Sequence, residues 1–256
     1  MKASIQYGFF VVFVILFIFV VCYLKEHKKV ELYHNCNFVI CFGLAPFYLL
    51  FSHLSAIPIS PIVERDVIQA YFPEVKMLED NWKAIRQEYF KLQNEITPIK
   101  DDLFFKRIVS DTKWKKLYLK WYNDIPTETR DRTPVTSQLL NQCLAIQLAM
   151  FSILEPNAVI TPHRGIYNGV LRVHLGLSCP TQEEGCVLTI NGTPYGWQDG
   201  KCLVWDDTYV HEVVNKSKKD RIILFLDINR PLKNPYFTKG IQKIFNSLAS
   251  TTNRKK

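Results

Sequence analysis

Apolar residues change their spacing along the chain, and each spacing predicts a different kind of structure. Residues 5–24 form an almost unbroken apolar run, whose length matches the ~20 residues that a helix needs to cross a bilayer. The run is too long for the core of a signal peptide, and no small-residue cleavage site follows it. The sequence therefore predicts a membrane-spanning helix over residues 5–24.

A second apolar run covers residues 38–52, is shorter and contains Pro46. Its length of roughly fifteen residues is marginal for spanning a bilayer. It fits an interfacial or re-entrant segment, a second span, or a lipid-facing surface of the following domain, and we favour the interfacial segment. Pro58, Pro61 and polar residues 63–66 then mark a linker.

Helical spacing begins at Pro73. From Val75 to Leu92 apolar residues recur at alternating steps of three and four, which predicts one amphipathic packing helix with Pro73 in its first turn. Residues 116–122 fit either a strand or a short amphipathic segment. Residues 139–148 predict another helix.

Short β-type runs fill the following part of the chain, at residues 150–154, 170–177, 186–190, 202–205 and 221–228. Turn-forming residues separate them, at 155–157, 191–193 and 199–200. Short strands at such spacing predict a sandwich or barrel. The expected organisation is a membrane anchor over residues 1–60, a helical and mixed part over 61–145, a β-rich core over 146–235 and a basic tail over 236–256.

Charge supports a membrane location. The 256 residues carry a net charge of +8, with basic clusters after the first apolar run and at the C terminus. No aromatic-basic pattern of a nucleic-acid-binding module accompanies them, so we expect an anionic membrane face and no nucleic acid as partner. The basic cluster after residue 24 predicts a single-pass protein, or a two-span one, with the following domain in the cytoplasm.

Cysteine usage agrees with a reducing compartment. The seven cysteines are an odd number and include no C-x-x-C pair, which argues against a disulfide framework.

Two histidines in the β-rich half are candidates for chemistry. His163 and His211 each lie at a predicted strand end or loop, and a barrel can bring such residues to one mouth. From spacing alone they are either metal ligands or surface histidines.

Three further polar residues lie on predicted strands. Arg172 and His174 share the face opposite the leucines of residues 170–177, so this face either meets solvent or lines an anion-binding cavity. Arg221 shares its face with large apolar residues, which predicts a partly buried cation that needs an anionic partner such as a dicarboxylate.

These stretches resemble the aspartyl/asparaginyl β-hydroxylase family of Fe(II)- and 2-oxoglutarate-dependent dioxygenases. The resemblance covers roughly residues 150–231 and rests on Phe151-Ser152-Ile153-Leu154, Pro162-His163-Arg164-Gly165, residues 171–177, Asp206-Asp207, His211-Glu212-Val213 and Arg221. Upstream, residues 72–88 and 104–122 resemble the membrane-bound lipid A hydroxylase branch in particular.

The resemblance implies a mainly β fold with flanking helices, a double-stranded β-helix or jelly-roll, that binds Fe(II), 2-oxoglutarate and O2. It implies hydroxylation of an unactivated C–H bond, with the acyl chain of a membrane lipid such as lipid A as substrate. The implied roles are metal ligation by His163 and His211, binding of the distal carboxylate of 2-oxoglutarate by Arg221 with Ser152, a position near the cosubstrate for His174, and a position lining the cosubstrate or substrate pocket for Arg172.

Gly165 departs from the wider enzyme class, in which a His-x-Asp pattern commonly supplies the third iron ligand. An aspartate often stands there in lipid A hydroxylases, whereas the protein β-hydroxylase branch similarly lacks the acidic ligand and a water could fill the place. Two alternatives therefore stay open. One is a β-hydroxylase acting on Asp or Asn side chains of proteins, and the other is a catalytically silent, membrane-anchored binding domain.

Two short motifs bear on these alternatives. Asn191 and Asn215 each begin a glycosylation sequon, which would fit a secretory lumen instead of the cytoplasm. Residues 211–215 begin like the H-E-x-x-H motif of zinc hydrolases, but Asn215 occupies the position of the second ligand, which argues against that class.

Overall fold

The computed structural model describes residues 50–99, 113–122, 124–165 and 167–234, together with Tyr236 and Gly240. The helix predicted over residues 5–24, most of the second apolar run and most of the basic tail lie outside these residues. No helix in the described part of the chain has the length and apolar character that crossing a bilayer requires.

The helices precede most of the strands. They are α1 (Arg65–Tyr71), α2 (Pro73–Asp80), α3 (Trp82–Leu92), a 3-10 helix (Gln93–Glu95), α4 (Thr127–Arg132) and α5 (Pro134–Gln142). Residues 50–54 are also helical.

The prediction of one helix from Pro73 to Leu92 is wrong, because the helix is interrupted at Asn81. The side-chain amide of Asn81 donates to the carbonyl of Met77 at 2.8 Å, and its backbone leaves the helical region at φ −108° and ψ 6°. An asparagine side chain competes in this way with backbone hydrogen bonding. Pro73 does occupy the first turn, as predicted.

The strands are β1 (Thr97–Pro98), β2 (Trp114–Trp121), β3 (Ile146–Leu154), β4 (Ala158–His163), β5 (Val170–Ser178), β6 (Cys186–Ile190), β7 (Thr193–Tyr195), β8 (Cys202–Trp205), β9 (His211–Asn215) and β10 (Arg221–Asn229). The larger sheet has the order β1-β2-β3-β10-β5-β8, and the smaller has the order β4-β9-β6-β7. From β3 to β10 the chain passes back and forth between the two sheets, which is a jelly-roll-like arrangement. The predicted mainly β architecture with flanking helices is confirmed.

The helix predicted over residues 139–148 is also wrong in its second half. Helix α5 ends at Gln142, and Ile146 already begins β3, which pairs with β2 on one side and β10 on the other. All of β3 is buried. A strand buried on both faces is a continuous apolar run, so its periodicity does not distinguish it from a buried helix. Of the two alternatives for residues 116–122, the strand is confirmed for all but the last residue.

The larger sheet has two buried faces, one covered by the helices and one by the smaller sheet. The outer face packs against the helices and includes Leu171, Val173, Leu175, Leu177, Ile222, Leu224 and Leu226. The inner face turns toward the smaller sheet and includes Met150, Leu154, Trp205, Ile223 and Phe225. Because side chains alternate along a strand, Arg172, His174 and Arg221 lie on the inner face, as the sequence predicted.

A buried ion pair fixes the end of β10 against the loop before β9. Arg230 and Asp206 are each 1% exposed, and Nη2 of Arg230 lies 2.5 Å from Oδ2 of Asp206. Nε of Arg230 also donates to the carbonyl of Asn168. The pair therefore connects β10, the loop after β4 and the segment that leads to His211.

Replacing Arg230 by methionine should lower the free energy of unfolding by about 3–5 kcal/mol, because Asp206 would be left as an uncompensated buried charge. Urea unfolding of the full chain in detergent measures this. The matched control is Arg132→Met, which removes an exposed ion pair with Glu95 and should change stability little. Equal losses in the two variants would contradict the prediction.

Candidate active site

Two histidines meet across the smaller sheet. His163 is the last residue of β4, His211 is the first residue of β9, and the two are register partners. Their ring centroids lie 4.0 Å apart. The fold therefore brings together two residues that are far apart in sequence, as the barrel interpretation predicted.

Local backbone contacts set the tautomer of both rings. Nδ1 of His163 lies 2.7 Å from the carbonyl of Thr161, and Nδ1 of His211 lies 2.9 Å from the carbonyl of Tyr209. A carbonyl can only accept, so Nδ1 carries the proton in each ring and Nε2 keeps its lone pair. Burial lowers the pKa of His163 to about 4 and that of His211 well below its usual value. Both rings are thus neutral near pH 7, the form that binds a metal.

Asp207 occupies the space beside Gly165. A Cβ added at Gly165 would lie 2.2 Å from Oδ1 of Asp207, and the backbone N–H of Gly165 donates to the carbonyl of Asp207 at 2.7 Å. Burial raises the pKa of Asp207 to about 7. Within the residues that the structure describes, no group of three or more His, Cys, Asp or Glu side chains is placed to hold a metal. His163 and His211 are therefore a pair without a third protein ligand in that part of the chain.

The substitution Gly165→Asp introduces the acidic residue that is common at this position in the wider enzyme class. It should lower the free energy of unfolding by about 3–5 kcal/mol without increasing the affinity for metal. The new side chain would have to displace Asp207 and so break the buried pair that Asp207 makes with Arg172. Urea unfolding and anaerobic Fe(II) titration test both parts. The control is Gly240→Asp, because a Cβ there would meet nothing within 4 Å. A stable variant that binds iron more tightly would contradict the prediction.

Ring contacts connect the two histidines with Arg221 at the other end of the inner face. Centroid separations are 4.5 Å for His211–Trp205, 5.6 Å for Trp205–His174 and 6.1 Å for His174–Trp197, and Cζ of Arg221 lies 5.0 Å from the Trp197 ring. The candidate residues therefore belong to one continuous buried surface.

Four buried donor atoms on this surface have no hydrogen-bond partner within the described residues: Nε and Nη2 of Arg221, Nε2 of His174 and Nε1 of Trp205. Nε1 of Trp197 donates to Nδ1 of His174 at 3.3 Å, so Nε2 of His174 carries the proton. Buried polar groups are normally paired, and these four donors fit an anionic ligand, whereas the buried acceptor Oδ1 of Asp207, also without a hydrogen-bond partner in the described residues, lies beside Gly165.

Arg221 is the strongest of these donors. It is 1% exposed, and no carboxylate of the described residues forms an ion pair with it. Burial lowers its pKa, an effect that the nearby thiols of Cys186 and Cys179 oppose. An arginine buried in this way requires an anion to offset its desolvation.

The remaining two predicted residues already have protein partners. Ser152 is fully buried on β3, where its hydroxyl accepts from Nε1 of Trp114 at 2.9 Å. It faces Ile223 across the sheet, so it is a diagonal neighbour of Arg221. Arg172 donates to Asp207 and to Asp227, each at 2.7 Å. Its guanidinium is thus held between two carboxylates.

Sequence reasoning assigned no role to Trp197, Trp205 or Asp207. Trp197 lies between Gly196 and the turn at Asp199-Gly200, where no periodicity marks it as buried. In the sequence, Asp207 is only part of the Asp206-Asp207 motif. Its proximity to Gly165 arises from tertiary contact between two loops.

The structure also bears on the two short motifs. Asn215 is fully buried and its amide donates to three carbonyls, those of Leu154, Glu155 and Lys219, so this sequon is not accessible for glycosylation. Asn191 is exposed. Residues 211–215 form a strand rather than the helix that an H-E-x-x-H site requires.

Comparisons with known proteins show the family of the chain. The family model described as Aspartyl/Asparaginyl beta-hydroxylase matches residues 79–231. Over 170 residues, 65% of this chain and 60% of the other, the sequence is 36% identical to an ornithine lipid ester-linked acyl 2-hydroxylase of Rhizobium tropici. Over 184 residues, 68% of this chain and 24% of the other, it is 30% identical to an aspartyl/asparaginyl beta-hydroxylase of Mus musculus.

Among solved structures, a prolyl-4-hydroxylase of Pseudomonas putida aligns with a TM-score of 0.41 and 18% identity, over 60% of this chain and 88% of that one. The aligned part spans less than two thirds of the length of the two relatives above. The family model nevertheless covers more than half of the 256 residues. The chain belongs to the aspartyl/asparaginyl β-hydroxylase family.

Proposed function

We propose that the protein is an Fe(II)- and 2-oxoglutarate-dependent hydroxylase that acts on the acyl chain of a membrane lipid. The observation that carries the proposal is one continuous buried surface. At one end, two neutral imidazoles have a free lone pair on Nε2, and at the other end Arg221 has no carboxylate partner in the described residues. A dicarboxylate with a metal-chelating end fits such a surface, because it needs a cation for one carboxylate and a metal beside the other.

In this proposal each residue has a defined task. His163 and His211 present Nε2 to the iron, and the backbone carbonyls of Thr161 and Tyr209 hold the rings in that orientation. Arg221 binds the distal carboxylate of 2-oxoglutarate, with Ser152 beside it. The Nε2–H group of His174 donates a hydrogen bond to the cosubstrate.

When bound, iron, 2-oxoglutarate and O2 supply the oxidation that no side chain can perform: one oxygen atom enters the C–H bond as hydroxyl, the other enters succinate, and CO2 is released. The surrounding residues exclude water from this reaction, since Trp205 and Phe225 are 1% and 3% exposed.

Two observations support a lipid acyl chain over a protein side chain. The Rhizobium relative is named for acting on a lipid acyl group. In addition, three half-buried aromatic residues lie in a row, with Tyr122 near Asp227: Tyr118 and Trp121 are in ring contact at 5.3 Å, as are Trp121 and Tyr122 at 5.6 Å. The pKa of Tyr122 is raised mainly by burial and to a smaller extent by the nearby Asp227 carboxylate. An aromatic wall of this kind suits an apolar chain.

The proposal is tested with the full chain in detergent. Fe(II) and 2-oxoglutarate are bound anaerobically, O2 is admitted, and succinate is measured together with the mass of added lipids. We expect iron-dependent succinate and the gain of one oxygen atom in a lipid acyl chain. Succinate with oxygen incorporated only into Asp or Asn of a peptide would favour the protein hydroxylase. A well-folded chain that binds neither iron nor 2-oxoglutarate would reject the enzyme.

A further inference from the structure

The candidate site opens at the end of the barrel where the chain leaves β10. Along the inner face of this strand, exposure rises from 1% at Arg221 to 18% for the side chain of Asp227. His163 and Gly165, which lie near the same end, are partly exposed. The end of the inner face at Asp227 is therefore more exposed than the end at Arg221, and we call it the opening.

Residues 229–233 join three segments around this opening. The backbone N–H of Asn229 donates to Ala145, that of Arg230 donates to Gly169, and that of Lys233 donates to Leu54, at 2.8, 2.9 and 2.8 Å. The three segments are the turn between α5 and β3, the loop after His163, and helical residues 50–54.

The second apolar run ends directly on the loop after His163. The rings of Phe51 and Tyr167 meet edge to face at 5.2 Å, and the amide of Asn168 donates to Ser52 at 3.1 Å. Residues 38–52 are apolar in sequence up to this contact. The last described residues of this run, Phe51 and Ser52, thus lie against the loop after His163.

Exposed large apolar side chains occur in two of these segments, at Leu50 and Leu144, and at Tyr236, three residues after Lys233. Among the described residues, Tyr236 at 81% and Leu144 at 74% are the two most exposed large apolar side chains, and Leu50 is 41% exposed. Single exposed apolar residues are ordinary, but a group around one opening indicates a contact surface. Lys233, also exposed, adds a positive charge beside them.

We propose that this entrance rim, made up of Leu50, Leu144 and Tyr236, inserts into the boundary between headgroups and acyl chains of a bilayer. The acyl chain then passes from the membrane into the site without contact with water. Such contact would be unfavourable because it exposes the apolar chain. The apolar run that leads into Leu50, the cation Lys233 and the net charge of +8 favour an anionic bilayer over a second protein copy. This inference rests on the proposed lipid substrate.

Insertion is tested with the full chain in liposomes whose phospholipids carry brominated acyl chains. A fluorescent non-natural amino acid replaces Leu144 or Tyr236 in separate variants. Val159 is the matched control, because it is 42% exposed at the start of β4, away from the rim. Bromine should quench the probe at Leu144 and Tyr236 and leave it unquenched at Val159. Equal signals at the three positions, or shielding of the rim by a second copy without quenching, would overturn the proposal.

Delivery of substrate is tested with Leu144→Asp combined with Tyr236→Asp. Hydroxylation of lipid in liposomes should fall roughly 100-fold or more, as expected for the loss of two buried large apolar side chains, while hydroxylation of the same lipid in detergent micelles should not change. Val159→Asp should leave both rates unchanged. An unaltered rate in liposomes, or equal losses in both formats, would overturn the role of the rim. Quenching at the rim without lipid hydroxylation by the unmodified protein would instead reject the proposed function and leave the docking intact.

Discussion

Replacing His211 by alanine is expected to abolish Fe(II) binding and iron-dependent succinate formation, and replacing His163 should do the same. Each ring supplies one of the two imidazoles that meet at 4.0 Å, and no group of three or more His, Cys, Asp or Glu side chains in the described residues is placed to hold a metal. Loss of half of the protein ligands should weaken iron binding more than the roughly 10–100-fold effect of losing an outer-shell partner. Anaerobic titration with Fe(II), or with Co(II) as a coloured substitute, measures the affinity directly.

His53→Ala is the matched control for these variants. His53 is exposed, and its backbone carbonyl, rather than its ring, holds Lys233, so iron affinity should not change. Urea unfolding of the metal-free variants separates loss of ligation from loss of fold. Full iron binding by folded His163→Ala or His211→Ala protein would refute the assignment of the metal site.

Arg221→Met is expected to raise the concentration of 2-oxoglutarate needed for half-saturation by roughly 100-fold or more, because truncating one partner of a buried charge pair costs several kcal/mol. The same change should not lower the stability of the cosubstrate-free protein. In that state Arg221 is a buried cation without a carboxylate partner in the described residues, and an apolar residue of similar volume avoids its desolvation. Calorimetry and urea unfolding measure the two quantities.

A loss of affinity for 2-oxoglutarate without a loss of stability distinguishes a ligand-binding arginine from a structural one. Arg230→Met serves as the comparison, because that arginine has its partner Asp206 within the fold and its removal should destabilise the protein in every state. Arg221→Lys should restore part of the affinity, since it keeps the charge but loses the bidentate fork. A large loss of stability in Arg221→Met, with unchanged affinity for 2-oxoglutarate, would reject the proposed role.

Asp207 gives a physical reason for the glycine at position 165. A carboxylate from the loop before His211 fills the volume that any side chain at 165 would need. Arg172 pairs with that carboxylate and with Asp227. The absence of an acidic residue at position 165 is therefore compatible with a formed active site and does not by itself indicate a catalytically inactive domain.

The sequence alone predicts the alternation of strands and turns, and the faces on which Arg172, His174 and Arg221 lie, because both follow from periodicity along one strand. It also marked His163 and His211 through the family resemblance. It could not place the boundary between α5 and β3, since a run buried on both faces has no period, nor the break at Asn81, which depends on a side-chain hydrogen bond.

How these residues meet follows from contacts in the folded protein. The pairing of His163 with His211 depends on the register between β4 and β9, and the position of Trp197 between His174 and Arg221 depends on packing of a loop with no repeat. The approach of Asp207 to Gly165, and of residues 50–54 to the loop after His163, are contacts between segments distant in sequence. Such contacts are selected by the packing of the whole core, so no local pattern in the sequence encodes them.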